Sequence, residues 1–478
     1  MMAPARPAVS RAASPLLLGV LLCLLLVRLL TLGAYPLSDA TEARYAEIAR
    51  KMVELNDWIT PWYDYGVPFW AKPPLSTWVT ALSMKVFGVN EFGARFPHFA
   101  AGLVVIWLVV GWLRRNDVRQ ALLASVLLAG SVLFFVSAGA VMTDMCMVVG
   151  VVMAMRGFWL GLHATGPERR REQYLFFIGL AVGLLAKGPV ALVLCGVPIA
   201  LWALWNGKLR AMWAGLPWLS GMFLVALLVL PWYALAEQHT PGFLNYFLVG
   251  EHWKRFTVAG WAGDRYGTAH AVPPGMIWPY AFAACLPWAV LVPAMAIGRQ
   301  AQSTAPDAQQ KSWQHYLWMW ALAPCLFFTA SRNIIWTYFL PGMPALAMLA
   351  AAWLARDSNA TRVDRLLAGG LLFALLAFGA TLSVMQVQQS FRSAKPVIAA
   401  LDRLHADRTT LVFVGHGIYT PAFYSQGRAM QLRDTAQLDA VLNDAPAGKA
   451  PRFVALYGSQ WRELSAPLQA RLRPEGRF

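Results

Sequence analysis

Residues 36–74 read PLSDATEARYAEIARKMVELNDWITPWYDYGVPFWAKPP, a charged and aromatic stretch set directly after a first apolar run. Almost everything around it is apolar. Polar groups beside a membrane are costly unless they have partners or a task. The cluster Asp39, Glu42, Arg44 and Lys72 is therefore the first place to look for chemistry.

The 478 residues are 58% hydrophobic and 13% charged, with a mean hydropathy of +0.48. A soluble domain carries about a quarter charged residues. Apolar runs of about 20 residues match the thickness of a bilayer core. The pattern predicts a polytopic α-helical membrane protein. Spans fall near 15–34, 97–113, 119–139, 144–163, 173–186, 188–206, 214–236, 277–297, 313–330, 335–354 and 364–387, with a partial or interfacial helix at 75–88. The first run follows Arg6 and Arg11 as a signal peptide would. Its length and the lack of a small-residue cleavage pattern make it an uncleaved span.

The net charge of +16 would suggest nucleic acid in a soluble protein. Here the basic residues occupy short loops between spans: Arg114, Arg115 and Arg119; Arg169, Arg170 and Arg171; Lys208 and Arg210; Arg299 and Lys311; Arg356, Arg362 and Arg365. The positive-inside bias places these loops, including the polar loop 300–311, in the cytoplasm beside anionic lipid headgroups. Membrane lipids are then the expected partners, and nucleic acid is not. The same orientation puts Asp39, Glu42, Arg44, Lys72, Asp144, Lys187, Glu251, His252, Arg255 and Arg332 on the outer side, largely on loops 35–96 and 237–276.

The outer loop opens with a helix over 40–55. Tyr45, Ile48, Met52 and Leu55 recur at helical spacing, the pattern of a helix lying in the interface. Asp39 and Glu42 also fit a capping box. Lys72, ahead of two prolines, is placed to clamp a phosphate at headgroup depth. Asp144 at the mouth of a span and Lys187 between two apolar runs are functional-site hypotheses by their depth, with snorkelling the plainer reading for Lys187. Glu251, His252 and Arg255 stand in EHWKRF; one Glu-His pair is weak evidence for a metal. Arg332 and Tyr338 top another span, where Trp336 and Tyr338 also suit an interfacial belt. The five cysteines lie in apolar spans without metal-ligand spacing and read as small buried hydrophobes. There is no Walker A, dinucleotide fingerprint, GxSxG, HExxH or CxxC motif.

After about residue 390 the composition becomes that of a soluble domain. TTLVFVG and PRFVALYG read as buried strands, with helices near 394–406 and 434–443. The division is a transmembrane domain over 1–390 and a small outer α/β domain over 391–478, without internal repeats.

TEARYAEIARKM with DW at 41–58, KPPLSTW at 72–78, EFGARFP at 91–97, MTD at 142–144, LLAKG at 184–188, EHWKRF at 251–256, and SR with YFLPGMPALA at 331–347 span some 300 residues in order. Together they resemble the bacterial branch of the protein-mannosyltransferase-like family, specifically the lipid A aminoarabinose transferase group. The resemblance implies a GT-C-like fold in the bacterial inner membrane, multi-pass, with the active site facing the periplasm. It implies transfer of a sugar, an amino sugar in the best-known group, from undecaprenyl phosphate to a lipid A phosphate or another periplasmic acceptor. Carried onto this sequence, Glu42, Asp144 and Asp39 are the catalytic acids. Arg44, Tyr45, Lys72, Lys187, His252, Arg255, Arg332 and Tyr338 bind substrate and phosphate.

Two positions depart from the family's pattern. Thr41 stands where the family commonly has the first acid of an Asp-Glu pair, the nearest acid being Asp39. Ala71 stands where it commonly has Glu before Lys-Pro. That glutamate, with a loop histidine, is a candidate metal site in relatives. Its absence argues against a metal at His252, and no cofactor is expected. The rival readings are a membrane transporter or flippase, disfavoured by charges gathered at one face, and a non-catalytic sugar-lipid-binding relative.

Overall fold

A computed structural model describes residues 14–267, 270–297, 307–387, 392–415, 417–444 and 453–476. Arg6, Arg11, Arg299 and the loop 300–306 lie outside the described residues. Among the described residues, five helices are long and apolar enough to cross a membrane, and six if one bent pair counts as a single span.

Helix α1 (Pro15–Thr31) starts where the Ser14 side chain accepts from Leu17 N and Pro15 fills the first turn. Helix α2 is Thr41–Leu55, α3 Leu75–Phe87 and α4 Glu91–Leu113. The predicted 119–139 span is broken into α5 (Val118–Ala129) and α6 (Val132–Ser137). The 277–297 span is likewise broken, into Ile277–Ala284 and Trp288–Ala294, bent by 74°. Pro287 at this bend offers no amide N–H to continue the ladder. The two breaks meet, with Val132 N donating to Leu286 O at 2.9 Å. The predicted 335–354 span begins as a 3-10 turn, Trp336–Gly342, before Met343–Ala355.

Helices α7 (Asp144–His163) and α8 (Gly166–Lys187) form a tight antiparallel hairpin. Gly150 and Gly157 on one face Gly179 and Phe176 on the other; a Cβ at Gly179 would lie 2.4 Å from Ala154 N, and one at Gly157 would lie 2.4 Å from Phe176 N. Small residues let membrane helices approach backbone to backbone. The hairpin thereby brings Asp144, at the start of α7, beside Lys187, at the end of α8. The opposite end of the bundle carries Arg156–Glu172 and Arg119–Asp364 pairs, each at 2.8 Å. Helix α9 (Val190–Trp205) follows.

Above the bundle sits the loop that holds α2. The interfacial reading of this helix is corrected: its charged face is also buried. Arg50 binds Glu47 through two hydrogen bonds of 2.7 and 2.8 Å, and Lys51 donates to Tyr63 O at 2.8 Å. The partners come from the hairpin β1 (Trp62–Asp64)–β2 (Val67–Pro68) and from the C-terminal residues. Those residues fold as a parallel sheet ordered β4 (Met430–Leu432), β3 (Leu411–Val414), β5 (Phe453–Ala455), with helices including Lys395–Arg403 and Ala436–Asp444. Strands β3 and β5 match the sequence expectation, and β4 adds one it lacked. The sheet domain is fastened to the outer loop by Lys395–Glu91 (2.5 Å) and by Tyr424 OH, which donates to Glu91 and accepts from Leu37 N. A cavity of about 150 Å³ lies in this seam, and its buried charges, Glu47 and Lys51, are already paired.

Gly179→Val forces a side chain into backbone and is expected to destabilise the protein by at least about 1–3 kcal/mol. Gly19→Val, at a position with nothing within 4 Å, is expected to be neutral. Thermal unfolding of both variants in one detergent tests the α7–α8 packing.

Candidate functional site

Lys72 lies on the turn that Pro73 and Pro74 close ahead of α3. The chain leading to it is held by Tyr266, whose hydroxyl donates to Pro68 O (2.8 Å) and accepts from Trp70 N (3.1 Å). Opposite Lys72 stands a π-helix, Tyr246–Lys254. Such widened helices recur at functional sites. Their five-residue repeat explains two contacts here: Tyr246 OH donates to Glu251 Oε1 (3.4 Å), and His252 Nδ1 meets Phe247 O (2.8 Å). Gly188, at φ +87°, lets the end of α8 pass this helix; a Cβ there would fall 2.4 Å from the Phe247 ring.

These elements enclose a cavity of about 260 Å³. Lys72, Lys187, Glu251, His252, Arg255, Asn333 and Tyr338 supply its polar wall, and Val190, Val193, Leu194, Phe327 and Phe328 are among its apolar lining. The Glu251 side chain is 1% exposed. It accepts from Lys72 Nζ at 2.9 Å and from Arg255 Nη1 at 3.2 Å. Arg255 Nη1 also meets Asp264 at 3.2 Å, while its buried Nε has no partner among the described residues. Lys187 Nζ donates to Asp144 at 2.5 Å and stands 4.7 Å over the Tyr338 ring. Asn333 donates to Arg255 O and Val258 O, both at 2.6 Å, and so fixes the end of the 246–257 segment.

Burial opposes ionisation of Glu251, but Lys72 and Arg255 outweigh it and hold its carboxyl below the usual value. Burial likewise works against the Lys72 ammonium, and Glu251 overcomes it and raises the pKa. Burial lowers the His252 imidazole, which is therefore neutral at neutral pH.

The site gathers Lys72, Lys187, His252, Arg255 and Tyr338 from the sequence expectation, with Asp144 directly behind Lys187. The other expected residues stand elsewhere. Glu42 accepts twice at 2.8 Å from Arg95, which also holds Leu32 O, Tyr35 O and Pro36 O. Asp39 accepts from Tyr419 N (2.6 Å), Thr420 N (3.1 Å) and Thr420 Oγ1 (2.5 Å). It ties the outer loop to the sheet domain and makes no capping box; the N-cap of α2 is Ala40, without a side-chain bond. Tyr45 is buried edge-on to Phe69. Arg44 donates to Tyr266 O and lies over Tyr45. The Arg332 side chain is exposed. Asp264 and Asn333 were missed: each is a loop residue outside any recognisable motif, and only folding brings it to Arg255.

The donor set does not fit a metal ion. Among the described residues no three His, Cys, Asp or Glu side chains cluster as ligands. Glu251 is already paired twice, and Ala71 O accepts from Lys72 Nζ at 2.7 Å.

A family model described as dolichyl-phosphate-mannose-protein mannosyltransferase matches residues 9–247. The chain belongs to that family. Among its relatives is the undecaprenyl phosphate-alpha-4-amino-4-deoxy-L-arabinose arabinosyl transferase of Aeromonas salmonicida, 31% identical over 336 residues, 69% of this chain and 58% of that protein. A Pseudomonas fluorescens protein of the same description is 29% identical over 405 residues, 81% of this chain and 67% of that one. The chain thus spans only about three fifths to two thirds of the length of these relatives. A crystal structure of ArnT from Cupriavidus metallidurans bound to undecaprenyl phosphate superposes with a TM-score of 0.76 at 21% identity, covering 90% of this chain and 88% of that one. The fold of this mannosyltransferase-family chain is accordingly GT-C-like and multi-pass.

Two outcomes follow. His252 has a lowered pKa in the folded state, so the stability it contributes is present above the usual imidazole value and lost as pH falls below about 6.5. Unfolding temperatures from pH 8 to 5 are expected to fall, less steeply in His252→Asn. Asp39→Ala leaves three hydrogen bonds unmade, at a cost of about 1–3 kcal/mol. Limited proteolysis is expected to cut the sheet domain of that variant faster than wild type.

Proposed function

We propose that this protein transfers a sugar, in the favoured case an amino sugar, from undecaprenyl phosphate to a lipid A phosphate. The observation that carries the reading is the gathering of Lys72, Lys187 and Arg255 on the wall of one cavity. Three cations converging on one cavity call for an anion. The apolar wall offers shelter to a prenyl chain, and the relative of like fold is bound to undecaprenyl phosphate.

In the reaction the bond between the sugar's anomeric carbon and the carrier phosphate oxygen breaks. A nucleophilic oxygen of the acceptor forms the new bond to that carbon, and the electron pair of the broken bond stays on the carrier phosphate. Lys72 and Arg255 stabilise that growing charge. Asp144, Glu251 and Asp264 are all ion-paired, so none of these three is a free base. An anionic phosphate acceptor needs no base from them. The ionic end with Arg119 and Arg156 faces the cytosol under the positive-inside bias. The site then opens to the periplasm of a bacterial inner membrane.

Purified protein supplied with lipid-linked amino sugar and lipid A is expected to give a lipid A product heavier by one amino sugar in mass spectra. Lys72→Ala and Arg255→Ala are each expected to lower kcat by about 10²–10³. Full turnover by both variants would remove the phosphate-clamp assignment, and an inert wild type would remove the function.

A further inference from the structure

Around the cavity, each of three cations meets a carboxylate: Lys72 with Glu251, Arg255 with Glu251 and Asp264, and Lys187 with Asp144. The cavity wall itself carries the three cations and, among the carboxylates, Glu251. A pocket meant only to grip phosphate would not place a buried carboxylate among its cations. Glu251 also occupies the donors a phosphate would use. It receives Lys72, Arg255 and Tyr246 together, and its side chain is 1% exposed.

We infer that Glu251 is a built-in counter-charge that weakens the hold on the spent carrier, so that it leaves after transfer. The inference rests on the proposed reaction. The donor is a phosphodiester with one negative charge. Cleavage turns it into a phosphomonoester carrying about −1.5 to −2 near neutral pH. Cations alone would bind the product more tightly than the donor, and release would limit turnover. A fixed carboxylate among those cations repels the more highly charged product more strongly than the donor. It therefore shifts the balance towards donor binding. Asp264, which meets the same Nη1 of Arg255 as Glu251 does, acts in the same direction. A purely positioning Glu251 would behave otherwise: its loss would misplace Lys72 and Arg255 and weaken donor and product alike.

The test uses the full chain in detergent, with undecaprenyl phosphate as the probe. In Glu251→Gln, which keeps size and shape, the Kd for undecaprenyl phosphate is expected to tighten by about tenfold or more, the scale on which one nearby charge shifts a buried equilibrium. Donor KM and kcat are expected to fall together, with a first-turnover burst ahead of a slow steady state. A Kd that stays the same or rises would overturn the inference. Asp264→Asn retains the oxygen that accepts from Tyr266 N and is expected to tighten binding in the same direction. If Glu251→Gln does not fold, this variant decides, and unchanged or weaker binding by it counts against the counter-charge. Wild type that neither binds undecaprenyl phosphate nor transfers sugar would defeat the proposed function itself. Wild type that does both while the variants fail to tighten would defeat only the counter-charge.

Discussion

A carboxylate taken out of water between an ammonium and a guanidinium is stable only while both partners stay in place. Glu251 between Lys72 and Arg255 is such a group, and much of the outer architecture serves to hold the three together. Lys72 arrives from the loop ahead of α3, Glu251 from the π-helix, and Arg255 from the residue just after that helix. Tyr266 clamps the strand ahead of Lys72, while Asn333 fixes the chain after Arg255. Two loops far apart in sequence are thus locked by one buried charge cluster.

The bundle beneath provides the second requirement, a fixed distance between helix ends. The glycine contacts of α7 and α8 leave no freedom in their separation. Asp144 and Lys187 therefore meet by backbone geometry. The pair then forms the third cation site at the cavity wall. The breaks in two other spans bond to each other, Val132 N donating to Leu286 O, which satisfies one backbone pair in the apolar interior.

Much of this was legible in the chain itself. Spans over 144–163 and 364–387 follow from uninterrupted apolar length, and Lys72, His252 and Arg255 stood out as charges at membrane edges. What misled was local pattern. Asp39 and Glu42 carry the spacing of a capping box, yet one is recruited by Thr420 and the other by Arg95, residues about 380 and 50 positions away. The charged face of α2 looked solvated because periodicity shows which residues share a face, not what covers it. Glu47, Arg50 and Lys51 are covered by a hairpin and a sheet domain that no local window contains.

The sequence by itself determined the class of the molecule: repeated long apolar runs mark a chain of helices that a bilayer accepts. It also marked which loops carry charge out of proportion to their surroundings. Only the tertiary structure decided which of those charges work together. Pairing depends on distances of about 3 Å between residues far apart in the chain, and close helix packing and long-range hydrogen bonds fix those distances. Glu42 and Asp39 were thereby assigned to holding the fold, and Lys72, Glu251 and Arg255 to the cavity.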